Sequence, residues 1–281
     1  MRPPTLACLI AYRGDLFHGF QRQGELPTVE LALRRAIVTA TGRDPIALAV
    51  AGRTDAGVHA RAQVVSFRLL DPPAPATLRS LVNAQLPPGV LFRGCAAVSP
   101  SFHARASALA RRYRYRIERT AADPEVQRRA WRLGQPLDLA AMAGAAEALV
   151  GKYDCTPFRS GDAAGRSPIC HIDAVRLRAR GPLIVVEIEA DRFLRRMARA
   201  MVGLLVEVGS GVRPLEQLAR WRDNGQLTTR PRVAPARGLY LQRVIYAAGL
   251  FGGGAIAGNS TTLAISSRPA ATVSTLSAIW A

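Results

Sequence analysis

Between residues 51 and 60 the chain reads Ala51-Gly52-Arg53-Thr54-Asp55-Ala56-Gly57-Val58-His59-Ala60. One carboxylate, Asp55, stands there between glycines at 52 and 57, which let the backbone turn tightly. Arg53 precedes it by two residues and offers a guanidinium that can hold a carboxylate ionised or grip a phosphate beside it. An ionised carboxylate so placed is a candidate nucleophile. The alternative is a simple loop in which Asp55 makes an Asx turn and Arg53 is solvated. On spacing alone the loop is favoured.

Two further stretches carry side chains suited to chemistry. In Arg111-Arg112-Tyr113-Arg114-Tyr115-Arg116-Ile117 a strand period of two puts Arg112, Arg114 and Arg116 on one face and Tyr113, Tyr115 and Ile117 on the other. The arginines there are solvated, paired with acids of a neighbouring strand, or lining the path of an anionic ligand. From Phe193 to Val208 the apolar residues recur at helical spacing, and Arg192, Arg195, Arg196 and Arg199 fall within an arc of roughly 100°. Gly203 lies on that basic side, one turn beyond Arg199, where a bulky side chain would block close approach. A solvated basic face is the usual explanation of such a stripe. The four cysteines, Cys8, Cys95, Cys155 and Cys170, lack the close spacing of a zinc site and read as buried small residues in a reducing compartment.

The elements that position these residues follow from periodicity and turn signals. Thr5–Tyr12 is a strand. Thr28 caps a helix whose apolar face is Val29, Leu33, Ala36 and Ile37 and which ends near Gly42. Strands Ile46–Ala51 and Gln63–Leu69 flank the Asp55 loop, followed by a short helix Ala76–Gln85 and a strand Val90–Val98. The order is βαββαβ, a ferredoxin-like split unit. The second half repeats it: strand Arg111–Glu118, helix Leu139–Val150, a hairpin of Ile172–Arg178 and Leu183–Ala190, helix Phe193–Val208, and strand Gly238–Tyr246. The fold class is α+β, two ferredoxin-like units (residues 1–99 and 100–247) meeting at a central cleft, with the seam near Ser99 to Ala104. Residues 248–281 lack any period and are expected to be a disordered tail.

Composition narrows the partners. The 281 residues are 49 % hydrophobic, a globular value, but 38 basic residues against 20 acidic give a net charge of +18. All but one of the basic residues, Lys152, are arginine, whose planar fork suits phosphate and base recognition. Such an excess points to a polyanion, most simply nucleic acid. The long uncharged stretch Val244–Ser267 is diluted by glycine, serine, threonine and asparagine and makes a poor membrane span. With no signal-peptide cleavage pattern, a cytoplasmic protein with no membrane partner is expected.

Gly52-Arg53-Thr54-Asp55-Ala56-Gly57-Val58-His59 resembles the signature of the TruA family of tRNA pseudouridine synthases. Four other segments share the resemblance. Arg13 to Gln23 is similar to the family's N-terminal motif, with Phe20 where tryptophan is more usual. Arg196 to Gly203 is similar to its third motif, although Arg195, Arg196 and Ala200 stand where polar residues are common. Ser101-Phe102-His103-Ala104-Arg105 looks like its RNA-contact loop. Phe158-Arg159 with Arg166-Ser167-Pro168 resembles a second, shortened one. The resemblance implies the pseudouridine synthase fold, with Asp55 as nucleophile and Arg199 as its ion-pair partner. It implies Tyr113 as the ring that stacks on uracil, and RNA contacts from Arg53, Phe102, His103, Arg105, Arg159 and Arg166. It also implies a homodimer acting on tRNA at positions 38 to 40 of the anticodon stem-loop. No redox step occurs in that isomerisation, so no cofactor or metal is implied. Two other classes fit the residues less well. A non-catalytic RNA-binding protein on a ferredoxin-like sheet needs no lone carboxylate in a glycine-flanked loop. A nucleoside hydrolase usually wants a second carboxylate or a metal.

Overall fold

Strand β1 (Thr5–Tyr12) is buried almost end to end, as its apolar run demands, because it lies inside the sheet between β3 (His59–Arg68) and β4 (Val90–Val98). The computed structural model describes residues 3–120, 128–161, 167–218, 221 and 229–247. Strand β2 (Ile46–Val50) pairs with the far end of β3. Helix α1 (Val29–Thr41) starts where Thr28 accepts a hydrogen bond from the Leu31 N–H and stops at Gly42, whose φ of 69° suits glycine. Helix α2 (Pro75–Gln85) packs on α1 and β4.

The second half builds on β5 (Ala108–Glu118), which is flanked in the sheet by β9 (Leu183–Ala190) and β10 (Leu239–Tyr246). Next to β9 come β8 (Ile169–Arg180) and β7 (Gly151–Asp154), while β6 (Trp131–Arg132) adds to the end of β5. Helix α3 (Leu139–Ala148), capped by Asp138, packs against β8 and helix α4 (Met197–Gly209). The first half therefore has the order βαββαβ, the second has it with β6 and β7 added, and the two are joined edge to edge. His59 and Ala60 of β3 pair in parallel with Tyr240 and Leu241 of β10, giving one ten-stranded sheet in the order β4-β1-β3-β10-β5-β9-β8-β7 with β2 and β6 to the side. β2 and β10 occupy different stretches of the same β3 edge, and the loop carrying Asp55 connects β2 to β3 beside that break.

Strand alternation in β5 is as the sequence indicates. Tyr113, Tyr115 and Ile117 are buried, and on the other face Arg112 and Arg114 bond to Glu189 (2.6 Å) and Glu187 (2.7 Å) of β9. The last long helix is different. It begins at Met197, not Phe193, because Arg196 takes a left-handed φ of 62°. Arg192, Arg195 and Arg196 thus lie on a loop rather than along a helical stripe. Tertiary contacts override helix propensity here: the Phe193 ring packs edge-on against Tyr113 at 4.8 Å, and the Arg195 carbonyl accepts from the Ser160 N–H at 3.0 Å. Arg166 and the expected tail lie outside the described residues. Among the described residues no helix is long and apolar enough to cross a membrane.

Candidate active site

The loop after β2 is held from below by polar groups and from the side by glycines. The Gln63 amide donates to the Gly52 carbonyl (2.7 Å) and to the Tyr12 hydroxyl (3.2 Å), and that hydroxyl is 2.8 Å from the Thr54 hydroxyl. All three side chains are buried, so the network fixes the residue on either side of Arg53. Burial pushes the Tyr12 phenol up to about 12, against the pull of its bonds to Thr54 and Gln63. Beyond Thr54 the chain turns: the Val58 N–H donates to the Asp55 carbonyl at 3.1 Å, with Gly57 at a φ of 81°. The segment from Gly14 to Phe20 lies against this turn, Gly57 N–H bonding Gly14 and Phe20 N–H bonding Thr54. A Cβ on Gly14 would sit 2.0 Å from the Val58 carbonyl, so only glycine permits the approach.

The Asp55 carboxylate receives the Arg199 guanidinium from the first turn of α4, Nη1 to Oδ2 at 3.1 Å. Arg199 is itself fixed, its Nε donating to the Ala234 carbonyl at 2.7 Å while the Ala234 N–H returns a bond to the Arg199 carbonyl. The strip around Ala234 is fastened to α4 by Glu207, whose carboxylate accepts from the Arg232 N–H (2.7 Å) and from Arg213 (2.9 Å). Gly203 makes this possible, since a Cβ there would stand 1.6 Å from the Arg232 oxygen. Arg53, by contrast, is exposed and makes no ion pair with Asp55.

Asp55 and Arg199 open onto a cavity of about 690 Å³, ample for a nucleotide. Tyr113 lines it, its hydroxyl 3.5 Å from where a Gly52 Cβ would be. Burial first, then Tyr12 and Asp55 nearby, push its phenol well above the ordinary value, so it stays protonated. Tyr115 lies in the core instead, its hydroxyl donating to the Pro235 carbonyl at 2.7 Å. Of the other residues picked out in the sequence, Arg53 and Arg105 line the cavity. Phe102, His103 and Arg159 do not. The Phe102 ring is buried against Tyr246, and the His103 Nδ1 accepts from the N–H groups of Arg105 and Ala106, so both shape their loop. Arg159 follows the short turn Thr156–Phe158, away from the lining. Sequence reading gave no site role to Gln21, Arg111 and Phe193, which also line the cavity, and set Arg192 and Arg195 of the lining on a helix face. For Arg111 a signal was there: it is the one arginine of its strand run that shares the tyrosine face.

Comparison with known proteins bears on what this cleft does. A family profile described as tRNA pseudouridine synthase matches residues 145–247. The tRNA pseudouridine synthase A of Shigella boydii serotype 4 is 38 % identical over 242 residues, covering 86 % of this chain and 89 % of the relative. The chain belongs to the tRNA pseudouridine synthase A family. Relatives from Escherichia fergusonii (38 % over 248 residues, 87 % of this chain and 92 % of that one) and Idiomarina loihiensis (36 % over 242 residues, 86 % and 92 %) agree. A Cbf5-Nop10-Gar1 crystal structure aligns at a TM-score of 0.31 and 9 % identity over 77 % of this chain and 65 % of that one, too loosely to bear on the assignment. As a tRNA pseudouridine synthase the protein is an isomerase with the pseudouridine synthase fold. The arrangement suits such chemistry: one carboxylate with a fixed cation, an aromatic ring in the wall, and arginines around the opening.

Proposed function

We propose that this enzyme isomerises uridines 38 to 40 of the tRNA anticodon stem-loop, with Asp55 as the nucleophile. The observation that carries the reading is the Asp55–Arg199 ion pair on a cavity that also presents Tyr113. Asp55 forms a bond to the ribose or the ring that is broken again, while the bond from ribose C1′ to uracil N1 breaks, the ring turns, C1′ joins C5, the C5 proton leaves and N1 takes up a proton. Taking the base out of its stack costs a few kcal/mol, offset by phosphate contacts and stacking. Arg53, Arg105, Arg192 and Arg195 hold the RNA backbone. Arg199 keeps Asp55 ionised and aimed. Tyr113 stacks on the uracil, and its neutral hydroxyl relays the C5 proton. The enzyme works as a homodimer, as the resemblance of its signature segments implies, and in the cytoplasm, where its free cysteines stay reduced.

The test is incubation with tRNA carrying 5-tritiated uridine, scoring tritium released to water, followed by chemical mapping of the modified positions. Tritium release with pseudouridine at 38 to 40 is expected. Release with pseudouridine elsewhere removes the positional assignment, and full release by Asp55→Asn removes the nucleophile.

A further inference from the structure

Arg111 is only 8 % exposed, yet no carboxylate accepts from it among the described residues. Five hydrogen bonds to backbone carbonyls take up its five N–H donors. Nε and Nη2 donate to Ala51 at 3.3 and 2.9 Å, and Nη2 donates also to Arg105 at 2.8 Å. Nη1 donates to Ala108 at 3.2 Å and to Asp191 at 2.8 Å. A buried charge without a counter-charge is costly, and an apolar residue would fill the space at less expense to stability. The carbonyls it joins are not scattered. Ala51 leads into Asp55, Arg105 and Ala108 bracket the end of the loop before β5, and Asp191 leads into the Arg192–Arg196 loop. All three segments line the cavity, and Tyr113 follows two residues later on the same strand face.

We infer that Arg111 is a positioning residue for the isomerisation: its guanidinium sets the Asp55 loop and the two arginine-bearing loops in one fixed arrangement around Tyr113. RNA held by the outer loops then meets the carboxylate at the right place. The inference rests on the roles proposed above for Asp55 and Tyr113. Lysine cannot substitute, because an ammonium offers three donors from one point where four carbonyls in several directions need a planar fork.

The experiment compares Arg111→Lys and Arg111→Ala with wild type by tritium release, tRNA filter binding and thermal melts, with rates taken well below each melting point. Arg111→Lys is expected to lose at least about thirtyfold in kcat while its tRNA Kd stays within about threefold, the pattern of a lost transition-state arrangement. Millimolar guanidinium should restore part of the kcat of Arg111→Ala, and sodium chloride at equal ionic strength should not. If Arg111→Ala does not fold, Arg111→Lys decides alone. The inference is overturned by a kcat for Arg111→Lys within threefold of wild type, or by losses shared equally between kcat and Kd. A folded Arg111→Ala that guanidinium leaves unrescued overturns it too. No release by wild type overturns the Asp55 reading itself, and this inference with it.

Discussion

Nη1 of Arg199 reaches Oδ2 of Asp55 at 3.1 Å across 144 residues of sequence, while the same guanidinium is anchored through Nε to the Ala234 carbonyl. The cation is therefore placed by backbone, and the carboxylate meets it there. The two should act as a unit. Asp55→Asn is expected to lower turnover at least about a thousandfold with tRNA affinity within about fivefold, and Arg199→Met to lower turnover by a smaller factor. The double variant should be no worse than Asp55→Asn alone. Steady-state tritium release on the three variants checks this, and additive losses would separate the residues.

The two tyrosines of β5 share a face but not a fate. Tyr113 meets the cavity and Tyr115 is bonded to Pro235 beneath it. Tyr113→Phe keeps the ring, so tRNA binding should survive while turnover drops. Tyr115→Ala should cost about 3–5 kcal/mol of stability, the usual range for deleting a large buried ring. Melts and turnover on both variants decide the matter. A silent Tyr113→Phe with an inactive Tyr115→Phe reverses the assignment.

Gly203 is predicted to tolerate no side chain. With a Cβ 1.6 Å from the Arg232 oxygen, Gly203→Ala must push the Arg232–Ala234 strip off α4, and that strip holds Arg199. The expected result is a stability loss of about 1–3 kcal/mol, typical of overpacking, together with reduced turnover below the melting point. Wild-type turnover in a folded Gly203→Ala would show that Arg199 does not depend on the strip.

Buried His59 accepts the Gly14 N–H at Nδ1 (3.1 Å), so its neutral ring carries the proton on Nε2. Burial lowers its pKa below the ordinary value, partly opposed by Asp15 at 3.8 Å and assisted by Arg129 and Arg13. A depressed folded-state value means the stability is fully present above the unfolded value of about 6.5 and is lost as pH falls through the folded one. One proton limits the slope to about 1.4 kcal/mol per pH unit. Asp15, lowered chiefly by its bond to Arg13, adds nothing until more acidic pH. Thermal melts from neutral pH downward should show the decline, and His59→Gln should flatten it. A flat wild-type profile contradicts a lowered folded-state pKa for His59.

Much of this molecule was legible because its strands and first two helices obey local rules. Thr28, Gly42 and the alternation through Tyr113 and Tyr115 mark elements whose bounds hold within a few residues. Strand β3 starts four residues earlier than its apolar pattern, since His59 and Ala60 pair with β10, a partner distant in sequence. β6 and β7 are too short to show a period. In the site, Asp55 was legible by resemblance and not by spacing. Arg192, Arg195 and Arg196 looked helical because 3.6-residue spacing cannot report a left-handed Arg196 that tertiary contacts impose. Phe102 shows the converse: its ring is buried, and a loop's sequence does not say which side chains hold it and which leave it.

Strand β10 comes after every other described strand, yet it lies at the middle of the sheet, between β3 and β5. During synthesis the first half emerges with Asp55, and the second follows with Arg111, Tyr113 and Arg199. Ala234, which fixes Arg199, is added only after residue 233, and the strand that joins β3 to β5 is complete only at Tyr246. Contacts of such long sequence separation form late. A chain still growing on the ribosome therefore carries Asp55 without the cleft that surrounds it in the finished fold.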